Sequence, residues 1–112
     1  MEHIQKGIVG EEKASLFLKD LGYEILVRNF RYGRGEIDII AKIETCICFV
    51  EVKYRKNNRF GYPEVFVTDK KLKKIMQTAE AYILQTNWHG RIRYDVISIT
   101  GNEHPVHLVD VT

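Results

Sequence analysis

The chain has 112 residues, a length for one domain around one core, and 45% of them are apolar, too many for a disordered chain. No apolar run approaches the roughly 20 residues a membrane helix needs, and the polar start Met1-Glu2-His3-Ile4-Gln5-Lys6 has no hydrophobic signal region, so a cytosolic protein without a membrane partner is expected. The formal net charge of +2 is unevenly spread: Lys53 to Lys74 holds eight basic residues against two acidic ones, which points to an anionic partner, nucleic acid before membrane.

The first helix is expected to start between Ile8 and Gly10 and to run to about Leu21. Ala14, Phe17, Leu18 and Leu21 share one face at helical spacing, and Gly22 supplies the stop. Glu12 points away from that face. Glu11 lies on its edge, where it either reaches a cleft or simply complements the helix N-terminus.

Three strands follow: Tyr23 to Tyr32, Glu36 to Ile43 and Cys46 to Arg55. The turns Tyr32-Gly33-Arg34-Gly35 and Glu44-Thr45 between them are tight, so an antiparallel meander is expected. The third strand is apolar on both faces at its start, the pattern of a central strand. Cys46 and Cys48 read as small core residues, since no further ligands stand at metal spacing.

Lys56 to Gly61 is a polar loop ended by Tyr62-Pro63. Thr68 is the expected N-cap of a second helix that runs to about Gln85, with Asp69 in its first turn. Leu72, Ile75, Met76, Ala79, Tyr82 and Ile83 form its apolar stripe. Lys70, Lys73 and Lys74 point off the stripe and Lys71 flanks it. After the Asn87–Gly90 loop, Arg91 to Thr100 alternates as a fourth strand, Gly101-Asn102 turns, and Val106 to Val111 ends the chain as a fifth. The order is α-β-β-β-α-β-β, one domain over residues 1–112.

Asp38, Glu51 and Lys53 are charges on strands that otherwise read as buried. Charge in such a place is costly unless paired or metal-bound. Glu51 and Lys53 share one strand face, and Val50 and Val52 the other. The Glu44-Thr45 turn sets Asp38 opposite Glu51, which makes their Cβ atoms cross-strand neighbours roughly 5 Å apart. Two carboxylates that close demand a cation or a raised pKa. Mg²⁺ suits oxygen donors, and the Val52 backbone carbonyl is a natural further ligand. Lys53 then stands beside a metal-bound water, the outline of a phosphodiester hydrolysis site. A structural ionic cluster without catalysis is the alternative. Candidates for phosphate contact are Arg31, Arg34, Arg55, Lys56, Arg59, Lys70, Lys71 and Lys74. His104-x-x-His107 does not have the spacing of a helical zinc pair, no serine elbow surrounds Ser15 or Ser98, and no Lys-Ser/Thr follows Gly7-x-x-Gly10.

The Asp38…Glu51-x-Lys53 arrangement resembles the PD-(D/E)XK nuclease superfamily, which includes restriction enzymes and archaeal Holliday-junction resolvases. The whole chain resembles more closely the YraN family of uncharacterised, endonuclease-like proteins. The likeness runs through Gly7-x-x-Gly10-Glu11, Asn29-Phe30-Arg31, Gly35-Glu36-Ile37-Asp38-Ile39-Ile40, Phe49-Val50-Glu51-Val52-Lys53 and Arg93-Tyr94-Asp95-Val96-Ile97. Tyr54 stands where that family usually has Thr.

The resemblance implies a restriction-endonuclease-like α/β fold, a three-layer α/β/α core around a mixed sheet of about five strands. It implies that Asp38 and Glu51 hold Mg²⁺ (or Mn²⁺), that Lys53 assists, and that Glu11 completes the cluster. Glu36 belongs to the same motif as a further acid or as a partner for a phosphate-binding Arg. The expected function is metal-dependent cleavage of DNA, rather than RNA, with branched or damaged DNA as substrates and a homodimer as a plausible form. The alternative is a nucleic-acid-binding module whose site is vestigial or slow.

Overall fold

The structure, a computed structural model, describes residues 2–57 and 67–112, and for residues 2–7 the backbone only. Arg59, Gly61 and the Tyr62-Pro63 end of the loop lie outside the described residues. The elements are α1 (Glu2–Asp20), β1 (Glu24–Tyr32), β2 (Gly35–Ile43), β3 (Cys46–Arg55), α2 (Asp69–Thr86), β4 (Arg91–Thr100) and β5 (Val106–Leu108). Their order is the one the sequence predicts.

The five strands form one sheet in the order β1-β2-β3-β4-β5. β1, β2 and β3 are the expected antiparallel meander. β4 runs parallel to β3, which α2 makes possible by carrying the chain back between them, and β5 is antiparallel to β4. α1 covers one face: Ala14 and Leu18 pack with Ile39, Ala41, Cys46, Cys48, Val50, Ile97 and Ile99. α2 covers the other: Ile75, Ala79 and Tyr82 pack with Ile37, Ile40, Ile47, Phe49 and Tyr94. The result is a three-layer α/β/α core. Cys46 and Cys48 are free and buried in the first cluster, and burial pushes the Cys48 thiol up to about 12.

Four details depart from the sequence expectation. α1 begins at Glu2, not near Ile8 to Gly10. Gly10 lies inside the helix, where a Cβ would stand 2.8 Å from Cβ of Tyr54, so this glycine serves a close approach of α1 to β3 and not a helix start. Leu21 is 52% exposed because the helix has already ended, with Gly22 at φ +95° and the Tyr23 N–H bonded back to the Leu18 carbonyl. Met76 is exposed while Thr78 takes a buried place on α2. β5 stops at Leu108, short of Val111, because Asp110 turns to φ +56° and its N–H leaves the ladder for Asp95 Oδ1 at 3.0 Å. The capping of α2 is as expected: Thr68 Oγ1 accepts from the Lys71 N–H at 3.2 Å.

Asp95 is the most buried charge in the sheet, 1% exposed. Arg93 grips it with two bonds, Nε at 2.9 Å and Nη2 at 2.8 Å, and His107 Nε2 donates at 2.8 Å. Tyr23 accepts a bond from Arg93 at 2.6 Å, which ties the start of β1 into the same network. Burial alone would raise the Asp95 pKa, but His107, Arg93 and the Asp110 N–H outweigh it and hold the carboxyl below its usual range. A charge so fully paired reads as structural.

Breaking that network should be costly. Asp95→Ala leaves Arg93 and His107 without their acceptor, and a loss of about 3–5 kcal/mol is expected in urea unfolding. A loss within the error of the measurement would remove the network from the account of stability. A second expectation concerns Gly35, whose added Cβ would run into the Thr78 hydroxyl of α2. Gly35→Ala should destabilise by about 1–3 kcal/mol through overpacking, and Thr78→Ala in the same chain should restore part of it.

Candidate functional site

The Glu44-Thr45 turn sets the β2–β3 register as the sequence predicts, with Ile43 opposite Cys46 and Ile39 opposite Val50. One more step would bring Asp38 opposite Glu51. The paired ladder ends before that step. The Asp38 carboxylate instead accepts the Val52 N–H, Oδ2 at 2.7 Å. A side chain thus takes the bond that a neighbouring strand would otherwise supply.

The β1–β2 ladder is interrupted at the same place. Arg28 pairs with Ile39 and Phe30 with Ile37, while Asn29 and Asp38 between them are skipped. Asn29 has φ +57°, in the left-handed region. The interruption changes which side chains face which helix. Ile39 and Ala41 pack on the α1 side, so regular alternation would put Ile37 there too. Ile37 packs on the α2 side instead. The alternation has slipped by one at Asp38.

The slip gathers carboxylates. One oxygen each from Glu11, Glu36 and Asp38 lie within 4.8 Å of one another. Glu11 comes from α1, on the edge of its buried face as the helical spacing predicts, and its side chain is 14% exposed. Asn29 Nδ2 donates to Glu11 Oε2 at 2.9 Å, and Arg28 stands 3.9 Å from the same oxygen while donating to Glu12 at 3.0 Å. Arg31 Nε donates to Glu36 at 2.9 Å across the hairpin. Burial pushes the Asp38 carboxyl up to about 7, helped by the charge of Glu51 and then of Glu11 and Glu36, while the Val52 N–H pulls it back.

Glu51 and Lys53 occupy the other side of the break. Val50 and Val52 point into the α1-side core, as expected, so Glu51 and Lys53 point towards α2. Lys71 of α2 reaches Glu51 at 3.3 Å. Glu51, Lys53, Val67, Thr68 and Lys71 line a cavity of about 180 Å³. The Val52 carbonyl leaves the strand on the same side as its N–H, towards the break. The tight carboxylate group is therefore Glu11, Glu36 and Asp38, with Glu51 near enough to repel Asp38 and balanced by Lys71.

Of the basic candidates, Lys70, Lys71 and Lys74 line a groove with Thr68 at the start of α2. Arg31 and Arg34 are exposed at the β1–β2 turn, and Arg55 and Lys56 close β3. The strand directions put both sets at the same end of the sheet as the carboxylates. Arg59 lies outside the described residues. The pairs Asn29–Glu11 and Lys71–Glu51 have faint signals in the sequence: an Asn in mid-strand, a residue type that strands disfavour and the left-handed region tolerates, and a Lys at the flank of a stripe.

Carboxylate and carbonyl oxygens are hard donors, and the burial and mutual repulsion that together lift a pKa to about 7 are relieved by a cation. Asp38, Glu11, Glu36 and, across the break, Glu51 with the Val52 carbonyl fit Mg²⁺ or Mn²⁺ by that chemistry. An α/β domain with a carboxylate cluster at an interrupted sheet, flanked by basic side chains, is the class that the fold and site define. The chain belongs to the uncharacterised protein family UPF0102, whose family model matches residues 10–99. It is 65% identical to a UPF0102 protein of Cytophaga hutchinsonii over 112 residues, 100% of this chain and 99% of the other. It is 41% identical to a UPF0102 protein of Phocaeicola vulgatus, covering 93% and 86% of the two chains. A third UPF0102 protein, from Clostridioides difficile, is 48% identical over 88% of each. No helix among the described residues is long and apolar enough to cross a membrane.

The raised Asp38 pKa makes a prediction with a definite sign. The folded state holds this proton more tightly than the unfolded chain, so the group's contribution is fully present below pH 3.8 and is lost as pH rises to about 7. The cost at neutral pH is on the order of 4 kcal/mol as an upper bound. Without divalent cations, Asp38→Asn should therefore be more stable than the wild type at pH 8, by about 1–3 kcal/mol. The gap should close towards pH 4. Urea unfolding across that range checks it, and a gap that does not vary with pH would contradict it.

Proposed function

We propose that the protein is a divalent-metal-dependent nuclease that hydrolyses phosphodiester bonds of DNA, including branched or damaged DNA, within the restriction-endonuclease-like superfamily. The observation that carries this reading is the meeting of Glu11, Glu36 and Asp38 within 4.8 Å at a break in the sheet, beside Glu51 and Lys53. Mg²⁺ bound there would neutralise charge on a phosphate and supply an activated water.

The chain's own residues have separable parts. Asp38 must give up its proton to act as a ligand, so Mg²⁺ affinity should fall as pH drops below about 7. Glu51 shares the negative charge from the α2 side, and Lys71 keeps it paired until substrate arrives. Lys53, two residues on from Glu51 on the same face, orients water and stabilises charge that builds on the phosphate. Lys70 and Lys74 at the start of α2, with Arg31, Arg34, Arg55 and Lys56, hold backbone phosphates at the same end of the sheet. A cytosolic enzyme acting on DNA, as a homodimer where both strands are cut, completes the reading.

The Lys71–Glu51 pair also favours a second reading, a nucleic-acid-binding module with little or no turnover, since an acid held by an internal lysine is less available for catalysis. One experiment separates the two. Purified protein is incubated with supercoiled, single-stranded, flap and four-way-junction DNA in Mg²⁺ or Mn²⁺. Cleavage should appear, and Asp38→Ala, Glu51→Ala and Lys53→Ala should each lower it by about 10²-fold or more. Cleavage undiminished in all three variants would sink the assignment. Salt-sensitive binding without any cleavage would select the binding module.

A further inference from the structure

We propose that Asn29 is a positioning residue for the carboxylate cluster: its left-handed backbone makes the break in the sheet, and its side-chain amide holds Glu11 in place. The metal part of this inference rests on the proposed function, while the backbone part stands without it.

Three observations converge on Asn29. Its φ of +57° is unlike that of an extended strand residue, and Asn is among the few non-glycine types that adopt it readily. The residues next to it keep one register, Arg28 with Ile39 and Phe30 with Ile37, so this gap in the ladder involves only Asn29 and the residue opposite it, Asp38, and is separate from the shift between Ile25 and Val27. Its Nδ2 then donates to Glu11 Oε2 at 2.9 Å. The side chain of this one residue thus touches Glu11, and its backbone stands opposite a second clustered acid, Asp38, at the skipped pair.

The consequences follow from strand geometry. With an extended residue at position 29, Asp38 would pair across the ladder and the alternation of β2 would continue unbroken. Ile37 would then turn to the α1 side and Glu36 to the α2 side, away from Glu11. The left-handed residue reverses this. Ile37 stays in the α2-side core, Glu36 and Asp38 reach Glu11, and Asp38 is free to accept the Val52 N–H at 2.7 Å. Glu11 alone could swing on its helix, because Arg28 stands at 3.9 Å and is shared with Glu12. The Asn29 amide fixes which way it points.

A bulge with a purely structural role would need the backbone and not the amide. Three variants separate these. Asn29→Gly keeps the left-handed conformation and removes the amide. Asn29→Val resists that conformation, because a β-branched side chain is a poor fit there. Asn29→Ala resists it less strongly and carries the same comparison where Asn29→Val does not fold. Two quantities are read: Mn²⁺ affinity by calorimetry, and hydrogen exchange of the Val52 amide relative to Phe49 and Val50 on the same strand.

Asn29→Gly should keep Val52 protected and weaken Mn²⁺ binding by about tenfold, the usual size of an outer-shell effect. Asn29→Val, or Asn29→Ala in its place, should speed Val52 exchange by about tenfold relative to its neighbours and weaken Mn²⁺ binding further. Unchanged Mn²⁺ affinity in Asn29→Gly would overturn the amide's role. Unchanged Val52 protection in Asn29→Val or Asn29→Ala would overturn the backbone's role. If the wild-type protein takes up no Mn²⁺, the metal reading and the amide's part in it fail together, and Val52 exchange alone decides whether Asn29 makes the break.

Discussion

The bond from the Val52 N–H to Asp38 Oδ2 at 2.7 Å is the contact on which the site depends. A central strand must satisfy its backbone groups on both sides, because buried N–H groups without acceptors are expensive. At Val52 the acceptor is a carboxylate. That substitution lets β2 part from β3 one pair beyond Ile39 and Val50 without orphaning the backbone. The room so opened is filled by acids from α1 and β2, and the core on each face closes up to it through Ile37, Ile39 and Val50.

Asp38 and Asp95 show how the same side chain takes opposite roles in one sheet. Asp95 faces two bonds from Arg93, one from His107 and one from the Asp110 N–H, and its carboxyl is held below the ordinary range. Asp38 faces one N–H and the charges of Glu51, Glu11 and Glu36, and its carboxyl rises to about 7. Burial works in the same direction on both. The difference lies in the sign of the neighbours. A fully compensated buried charge has nothing left to offer a ligand, whereas an undercompensated one attracts a cation.

Much of this was legible in the residues. Gly22, the Glu44-Thr45 turn and the Thr68 cap mark boundaries by local backbone chemistry, and they fall where the structure has them. The meander register follows from turn length alone, so Asp38 and Glu51 come out as near neighbours. Helical spacing places Glu11 at the edge of the buried face. What was hidden depends on contacts between distant segments. The slip at Asp38 needs a left-handed residue on the neighbouring strand, and a pattern of alternating apolar residues assumes no such slip. The Lys71–Glu51 pair requires α2 to be docked on the sheet. The early end of β5 comes from the Asp110 N–H finding Asp95 in place of a ladder partner. α1 begins earlier than the spacing predicts, at Glu2, and Gly10 within it serves close packing against Tyr54.

Among the described residues, β1 forms one border of the sheet, with a second strand on only one side. A long, regular border strand offers a row of free backbone groups on which a strand from another molecule can add, the first step of aggregation. Here regularity fails twice within nine residues, once between Ile25 and Val27 and again at Asn29. Arg28 and Arg31 add charge along the same stretch. The irregularity that shapes the acid cluster therefore also protects the molecule's open border from unwanted self-association. A variant that straightened β1 would face both losses together, a disordered site and a stickier surface.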